Sequence, residues 1–387
     1  MRSISIGRYV MIGLLFWGLP AIFVAGPAAV LYTAVAILPV WLLCRRSPAI
    51  ARASAPIKRY GITTAAILAV FAFGYLVADA LFGQKLLQFN LFLFGNTAVE
   101  RVVDSANLNV SEGRGAAALL GTILGSLPFC LIDVAGWGPR IGRGAIWACA
   151  ILLLFYGVTT SRGAVLISVM TIVMGRTSNW KRILFAAAIA FGLFTIASVV
   201  RGDYGNTSSP LWAAIAGPYI NLYLMLTIHC GSAPWSSYVF DFFKKFIPGF
   251  LFPKTVYSFN IETSLCIYPT ADNAVAAVSI FTWLGEIFYY TPSIVTALCA
   301  GILLGGMSRI VDKLLVRNQL PTARISIGLA CIVMLRSRSL DVLSFLIAQW
   351  IFLLFWPHLY RLARYLRGCV ASPTPASNKA LPQQEGS

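Results

Sequence analysis

The stretch YVMIGLLFWGLPAIFVAG at residues 9–26 decides the fold class of this chain. A membrane-spanning helix needs about 20 mostly apolar residues, and this run approaches that length without a single charged residue. A second apolar run follows at 27–44, so the first is predicted to be a retained span rather than a cleaved signal peptide. Of the 387 residues, 58% are hydrophobic and 11% are charged, which excludes one water-soluble core. The sequence therefore predicts an integral membrane protein.

Similar apolar runs recur along the chain and predict an all-α polytopic membrane protein with about ten transmembrane helices, within a range of 10–12. Basic clusters follow the even-numbered spans, so a cytoplasmic N-terminus satisfies the positive-inside rule. This topology and attraction to anionic inner-leaflet lipids account for the net charge of +17, so membrane lipids are expected partners and nucleic acid is not. The predicted spans lie near 9–25, 27–44, 60–82, 115–135, 144–160, 163–175, 183–200, 287–307, 321–337 and 340–358.

The chain is predicted to form a single membrane domain over 1–367, with external loops at about 83–114 and 201–286. The larger loop is expected to contain short helices. Within it, the apolar run at 211–229 includes glycine and proline, which predicts a partly immersed or re-entrant helix with an interrupted backbone. The polar, proline-rich and serine-rich segment 368–387 is predicted to be a disordered cytoplasmic tail.

The cysteine and glycine patterns limit the kinds of site that the chain can contain. Cys230 and Cys266 both fall in the larger external loop, so an oxidising compartment would permit a disulfide between them, and the sequence leaves that pairing open. The chain has no CxxC motif and no His/Cys cluster, which predicts that it has no metal site of that type. It also lacks the glycine patterns of a P-loop or a dinucleotide site, so no cofactor is expected.

Four arginines at predicted outer span ends oppose the positive-inside trend: Arg162, Arg201, Arg336 and Arg338. Each could be an interfacial anchor whose charge snorkels to the headgroups. Together, however, they can converge at one end of a bundle, where a guanidinium binds phosphate oxygens bidentately and keeps its charge. They are candidate pyrophosphate-binding residues.

Glu286 is the most informative acid, because it lies at the outer start of an apolar run, where an ionised carboxylate is costly. One interpretation is an acid favoured by the positive end of a helix dipole. The other is a catalytic carboxylate with a raised pKa that accepts a proton from an attacking hydroxyl. Asp272, a few residues upstream, is the second candidate for that role.

Three stretches resemble the O-antigen polymerases, also called oligosaccharide repeat-unit polymerases. They are TTSRGAVLISVM at 159–170, the loop opening RGDYG at 201–205, and DNAVAAVSIFTWLGEIFYYTPSIVTALCAGILLGG at 272–306, where a Gly-Glu pair precedes aromatic residues and an apolar span. The layout matches over roughly 1–367. The chain departs from the family pattern at Thr291 and Pro292, where the family has Asn and Gly.

The resemblance implies a membrane glycosyltransferase of the bacterial inner membrane with cytoplasmic termini and a periplasmic active site, similar in layout to the glycosyltransferase C-type membrane fold. It implies polymerisation of oligosaccharide repeat units linked to undecaprenyl pyrophosphate into O-antigen or a related surface polysaccharide, without a metal or other cofactor. A chain-length regulator protein is a further candidate partner. The residues agree with this function. A site on the outer face of the membrane has no nucleotide sugars, and arginines can hold a leaving pyrophosphate.

Two other functions remain open from the sequence. A flippase or other transporter of lipid-linked oligosaccharides usually has repeat symmetry and polar residues deep in its spans, and no repeat is evident here. An O-antigen ligase shares the layout but relies on a loop histidine, for which His229 is the only candidate.

Overall fold

The computed structural model describes residues 4–45, 210–244, 258–269 and 281–370, together with scattered positions between 126 and 192. The predicted spans between residues 60 and 200 lie wholly or partly outside the described residues. The predicted loop at 83–114 and most of the predicted tail also lie outside them. The described part is mostly helical. The helices below are numbered within that part.

Four helical segments are long and apolar enough to cross a membrane: Ile6–Ala25, Pro27–Cys44, Ser293–Arg317 and Ser339–His358. The first combines helix α1 (Ile6–Gly18), a 3₁₀ turn (Leu19–Ala21) and helix α2 (Ile22–Ala25). The second is helix α3 (Pro27–Cys44), and the outward faces of the two segments carry exposed apolar side chains such as Phe16 and Phe23. Such faces suit contact with lipid chains. This agrees with the expectation of a membrane protein at the level of helix length and composition.

The C-terminal half differs in detail from the predicted spans. Helix α7 (Trp283–Tyr289) ends before helix α8 (Ser293–Arg317) begins, so the span predicted from 287 starts later. Helix α9 (Pro321–Met334) has 14 residues and rises about 21 Å, which is shorter than the roughly 30 Å hydrocarbon layer. Helix α10 (Ser339–Val370) continues past residue 368, so the predicted tail begins as helix.

The described residues between 210 and 291 form further short elements. Helix α4 (Pro210–Ile228) is continuous through its internal proline, so the predicted interruption of its backbone is wrong. The other elements are strand β1 (Ala233–Pro234), helix α5 (Trp235–Lys244), helix α6 (Ser258–Ile267) and strand β2 (Tyr290–Thr291). Strands β1 and β2 pair in parallel, so the fold is not purely α-helical. This pairing ties the start of α5 to the start of α8.

Small residues bring α8 close to α3, while α10 packs on another side of α8. A Cβ atom added to Gly301 would lie 2.3 Å from the carbonyl oxygen of Ala36, and one added to Gly305 would lie 3.0 Å from the Cα atom of Val40. Glycines spaced four residues apart allow such backbone contact in membrane helices. This packing fixes α8, whose first turn follows the candidate site.

Carboxylates from distant elements bind the first amides of two bundle helices. Asp133 accepts from Thr322 N at 2.8 Å and from Ala323 N at 3.0 Å, at the start of α9. Asp312 accepts from Ile6 N at 3.2 Å, at the start of α1, and binds the guanidinium of Arg324 through both of its oxygens at 2.6 Å. These contacts satisfy helix amides that have no partner within their own helix, and they lock the bundle together.

Candidate active site

The candidate site begins with helix α7, which is almost entirely buried between α1, α3 and α8. Its first amide, Trp283 N, donates to the carbonyl oxygen of Leu335 at 3.3 Å, which joins α7 to the turn before α10. Gly285 is required at its position, since a Cβ atom there would lie 2.9 Å from that of Phe281. The helix therefore holds Glu286, the next residue, in one place.

The carboxylate of Glu286 caps the N-terminus of α10 from outside that helix. Its Oε2 atom accepts from Ser339 N at 2.8 Å, from Leu340 N at 3.3 Å and from the Ser339 hydroxyl. Free amides and the helix dipole both favour a negative charge at this end of a helix. The structure therefore places Glu286 at the positive end of a helix dipole, that of α10 rather than that of the apolar span that follows Glu286 in the sequence. The catalytic interpretation stays a prediction.

One feature separates Glu286 from the other two carboxylates that cap helices. Asp133 and Asp312 each use both oxygens. Glu286 uses only Oε2, and within the described part of the chain its Oε1 atom accepts no hydrogen bond. Capping thus orients Glu286 while leaving two lone pairs for another partner.

Burial raises the pKa of Glu286 from an ordinary 4.5 to about 7. The Ser339 hydrogen bonds and the positive charge of Arg338 oppose that rise, and the nearby carboxylate of Asp341 adds to it. Desolvation dominates, because Glu286 is only 1% exposed. A carboxyl group with such a pKa exchanges protons near neutral pH.

The turn that connects α9 to α10 carries Arg336 and Arg338. Its backbone closes through Ser337 N, which donates to the carbonyl oxygen of Met334 at 2.9 Å. The guanidinium of Arg338 donates to Asp341 Oδ2 at 2.9 Å, and both side chains are partly buried. Of the residues predicted to form the site, the structure brings Glu286 and these two arginines to one end of the bundle. Arg162, Arg201 and Asp272 lie outside the described residues.

Aromatic side chains surround this cluster, and sequence reasoning missed their polar partners. The Tyr238 hydroxyl lies 2.8 Å from Ser339 Oγ. Tyr290 donates to Asp241 Oδ2 at 2.9 Å, and its neighbour Tyr289 donates to Glu262. The only sequence signal for Ser339 was its place just before an apolar helix, which is typical of an N-terminal cap.

A disulfide joins Cys230, just after α4, to Cys266 in α6, with their Cα atoms 5.7 Å apart. Next to it, His229 is exposed and ends α4 with a positive φ of 58°. Its Nδ1 atom lies 3.0 Å from the carbonyl oxygen of Thr227, two residues earlier. The histidine has a local role in ending the helix.

No protein-family model, curated protein or solved structure matches the chain. Among the described residues, no group of three His, Cys, Asp or Glu side chains is placed to hold a metal ion.

Proposed function

We propose that this chain is a membrane glycosyltransferase that polymerises oligosaccharide repeat units carried on undecaprenyl pyrophosphate, on the periplasmic face of the inner membrane. The observation that carries the proposal is the carboxylate of Glu286, which is oriented through one oxygen, accepts no hydrogen bond through the other from the described residues, and lies near the cationic turn of Arg336 and Arg338. Transfer from a lipid pyrophosphate requires a base for the attacking hydroxyl and positive charge for the leaving pyrophosphate. Glu286 and the two arginines would supply them.

The proposed reaction uses the two groups in one step. A hydroxyl of the acceptor sugar attacks the anomeric carbon of the donor, a new glycosidic bond forms, and the bond from that carbon to the pyrophosphate oxygen breaks. Oε1 of Glu286 accepts the proton of the attacking hydroxyl. The pyrophosphate leaves with its lipid, and the guanidinium groups of Arg336 and Arg338 stabilise its negative charge.

Two further atoms on the same segment favour a ligand rich in hydroxyl groups. Thr282 Oγ1 and Trp283 Nε1 are buried and make no hydrogen bond within the described part of the chain. Buried polar atoms are usually paired. Sugar hydroxyls both donate and accept, so an acceptor sugar that reached these two atoms would satisfy the threonine hydroxyl and the indole N–H.

The direct test is to incubate the purified protein with a synthetic lipid-linked repeat unit and measure the products. Longer chains on the lipid support polymerisation. Transfer of the unit to lipid A core would instead identify a ligase. Movement of the intact unit across vesicles without a new bond would identify a transporter, and either of these results contradicts the proposal.

The rate of chain growth is expected to fall as the pH drops below about 7. The base must be ionised to accept a proton, and burial raises the pKa of Glu286 to about 7. The ionised fraction and the rate should therefore increase together through this range and level off above it. The measurement is the initial rate of extension at saturating substrate from pH 5 to 9. A rate that stays flat down to pH 5 would exclude a base with this pKa.

Arg162→Ala is expected to abolish chain growth while the protein stays in the membrane, since it removes a proposed pyrophosphate ligand. Arg143→Ala is the matched control, because Arg143 begins the same Arg-Gly-Ala tripeptide but is predicted to lie on the cytoplasmic side. Product length on a gel and membrane content by immunoblot measure the two effects. Normal chain lengths with Arg162→Ala would remove this residue from the site.

A further inference from the structure

A buried row of oxygen atoms connects the external segment to Glu286. The Tyr238 hydroxyl, on α5, lies 2.8 Å from Ser339 Oγ, and the Ser339 hydroxyl donates to Oε2 of Glu286. Tyr238 and Ser339 are fully buried, and Glu286 is 1% exposed. Bulk water cannot replace either contact at these depths, so each hydroxyl depends on the next.

The chemistry of serine fixes the direction of this row. A serine hydroxyl has a single hydrogen, and Ser339 uses it to donate to Glu286. While Glu286 is ionised, Tyr238 must then be the donor to Ser339 Oγ. Burial, together with the negative charge of Glu286, holds the pKa of Tyr238 well above its usual range, so this phenol keeps its proton.

We propose that Tyr238 is a positioning residue that acts through Ser339, so that the docking of α5 against the bundle orients and stabilises the ionised carboxylate of Glu286. The inference depends on the proposed function only for its catalytic consequence. Donation from Tyr238 makes the Ser339 hydroxyl a stronger donor, because hydrogen bonds in a chain polarise one another. The stronger donor favours the charged form of the carboxylate.

Helix α5 is held firmly enough for this role. The ring of Tyr238 packs edge-to-face on that of Tyr290, with centroids 5.5 Å apart. The Tyr290 hydroxyl binds Asp241, one turn along α5, and Asp241 also pairs with Lys244 at 3.3 Å. The opposite side of α5 exposes Phe240 and Phe243. The helix thus presents Tyr238 to the site from a fixed position.

Within the described part of the chain, the titratable and charged groups that face Glu286 come from three elements. The turn and first residues of α10 supply Arg338 and Asp341, α5 supplies Tyr238, and β2 supplies Tyr290. Substitutions at Ser339 leave these four side chains unchanged. A change in the titration of Glu286 in a Ser339 variant therefore reports the hydroxyl row itself.

The test measures the titration of Glu286 directly, in full-length protein without substrate. Infrared difference spectra recorded against pH give the carbonyl band of the protonated acid, and Glu286→Gln identifies that band by removing it. Ser339→Ala should move the midpoint upward by about one pH unit, the size expected for losing a hydrogen bond to a charged group. Tyr238→Phe should move it in the same direction by less, and Ser339→Thr should restore it.

The matched control is Tyr268→Phe, which removes a tyrosine hydroxyl that donates to Asn221 at 3.1 Å, away from Glu286. Its midpoint should equal that of the unaltered protein. An unchanged midpoint in Tyr238→Phe would overturn the proposal, even if Ser339→Ala moves it. If Ser339→Ala fails to fold, Tyr238→Phe and Ser339→Thr still decide the result.

Failure of this inference and failure of the proposed function give different results. A shifted midpoint in a protein that does not extend glycans would support the positioning role and reject the polymerase. Chain growth with an unshifted midpoint would support the polymerase and reject the positioning role. If the positioning role and the polymerase function both hold, the pH profile of chain growth in Tyr238→Phe should move to higher pH. The size of that move should equal the midpoint shift in the infrared titration.

Discussion

Glu286→Gln is expected to reduce the rate of chain growth by about 10²–10⁴-fold, the usual contribution of a general base. The amide has the shape of the carboxylate, and its oxygen can still accept from Ser339 N and Leu340 N. It cannot accept the proton of the acceptor hydroxyl. The measurement is the initial rate of extension of a lipid-linked repeat unit by the purified variant.

The control for this substitution is Glu262→Gln. Glu262 is an exposed carboxylate on α6 that accepts from Tyr289, and its loss should change the rate little. Losing the charge at an N-terminal cap costs about 1 kcal/mol of stability, so the Glu286→Gln protein should remain folded. A thermal unfolding curve of the variant measures this. A folded Glu286→Gln protein that extends chains at the normal rate would leave Glu286 with capping as its only role.

Asp312→Ala is expected to have the largest effect on stability. It leaves the buried guanidinium of Arg324 without its bidentate partner and the amide of Ile6 without its acceptor. Breaking one partner of a buried ion pair typically costs about 3–5 kcal/mol, against a total stability of about 5–15 kcal/mol for many proteins. The yield of folded protein should fall sharply, as measured by size-exclusion chromatography in detergent.

A double variant separates the ion pair from simple packing loss. Adding Arg324→Ala to Asp312→Ala removes the guanidinium that has lost its carboxylate partner, so the double variant should be more stable than the sum of the single effects predicts. Lys244→Ala, which breaks a partly exposed pair with Asp241, should cost less than about 1 kcal/mol. Strictly additive effects of Asp312→Ala and Arg324→Ala would contradict the energetic role of the pair.

The sequence predicts the first two spans closely, because their apolar runs are interrupted at a glycine followed by Pro27. The prediction from sequence is wrong at the start of α8, because the apolar residues continue through a turn there. Tyr290 and Thr291 form a strand there, and α8 begins only at Ser293. Hydropathy measures the apolar content of a segment, and that content hardly changes across the turn.

The candidate site is only partly visible in the sequence. Glu286 stands out as an acid beside an apolar span. Its partner Ser339 is 53 residues away, and Tyr238 is 101 residues from Ser339. Contacts over such distances depend on tertiary packing, which leaves no local pattern. For the same reason, no local pattern in the sequence indicates the ion pair between Arg324 and Asp312.

Binding of undecaprenyl pyrophosphate to purified protein in lipid nanodiscs tests the central claim most directly. Arg336→Gln combined with Arg338→Gln should weaken binding by at least about tenfold, since a charge-assisted hydrogen bond contributes more than the 1.4 kcal/mol that a tenfold change represents. Arg309→Gln, an exposed arginine on α8, is the matched control and should bind as the unaltered protein does. Equal affinity in all three proteins would contradict a pyrophosphate site at the turn beside Glu286.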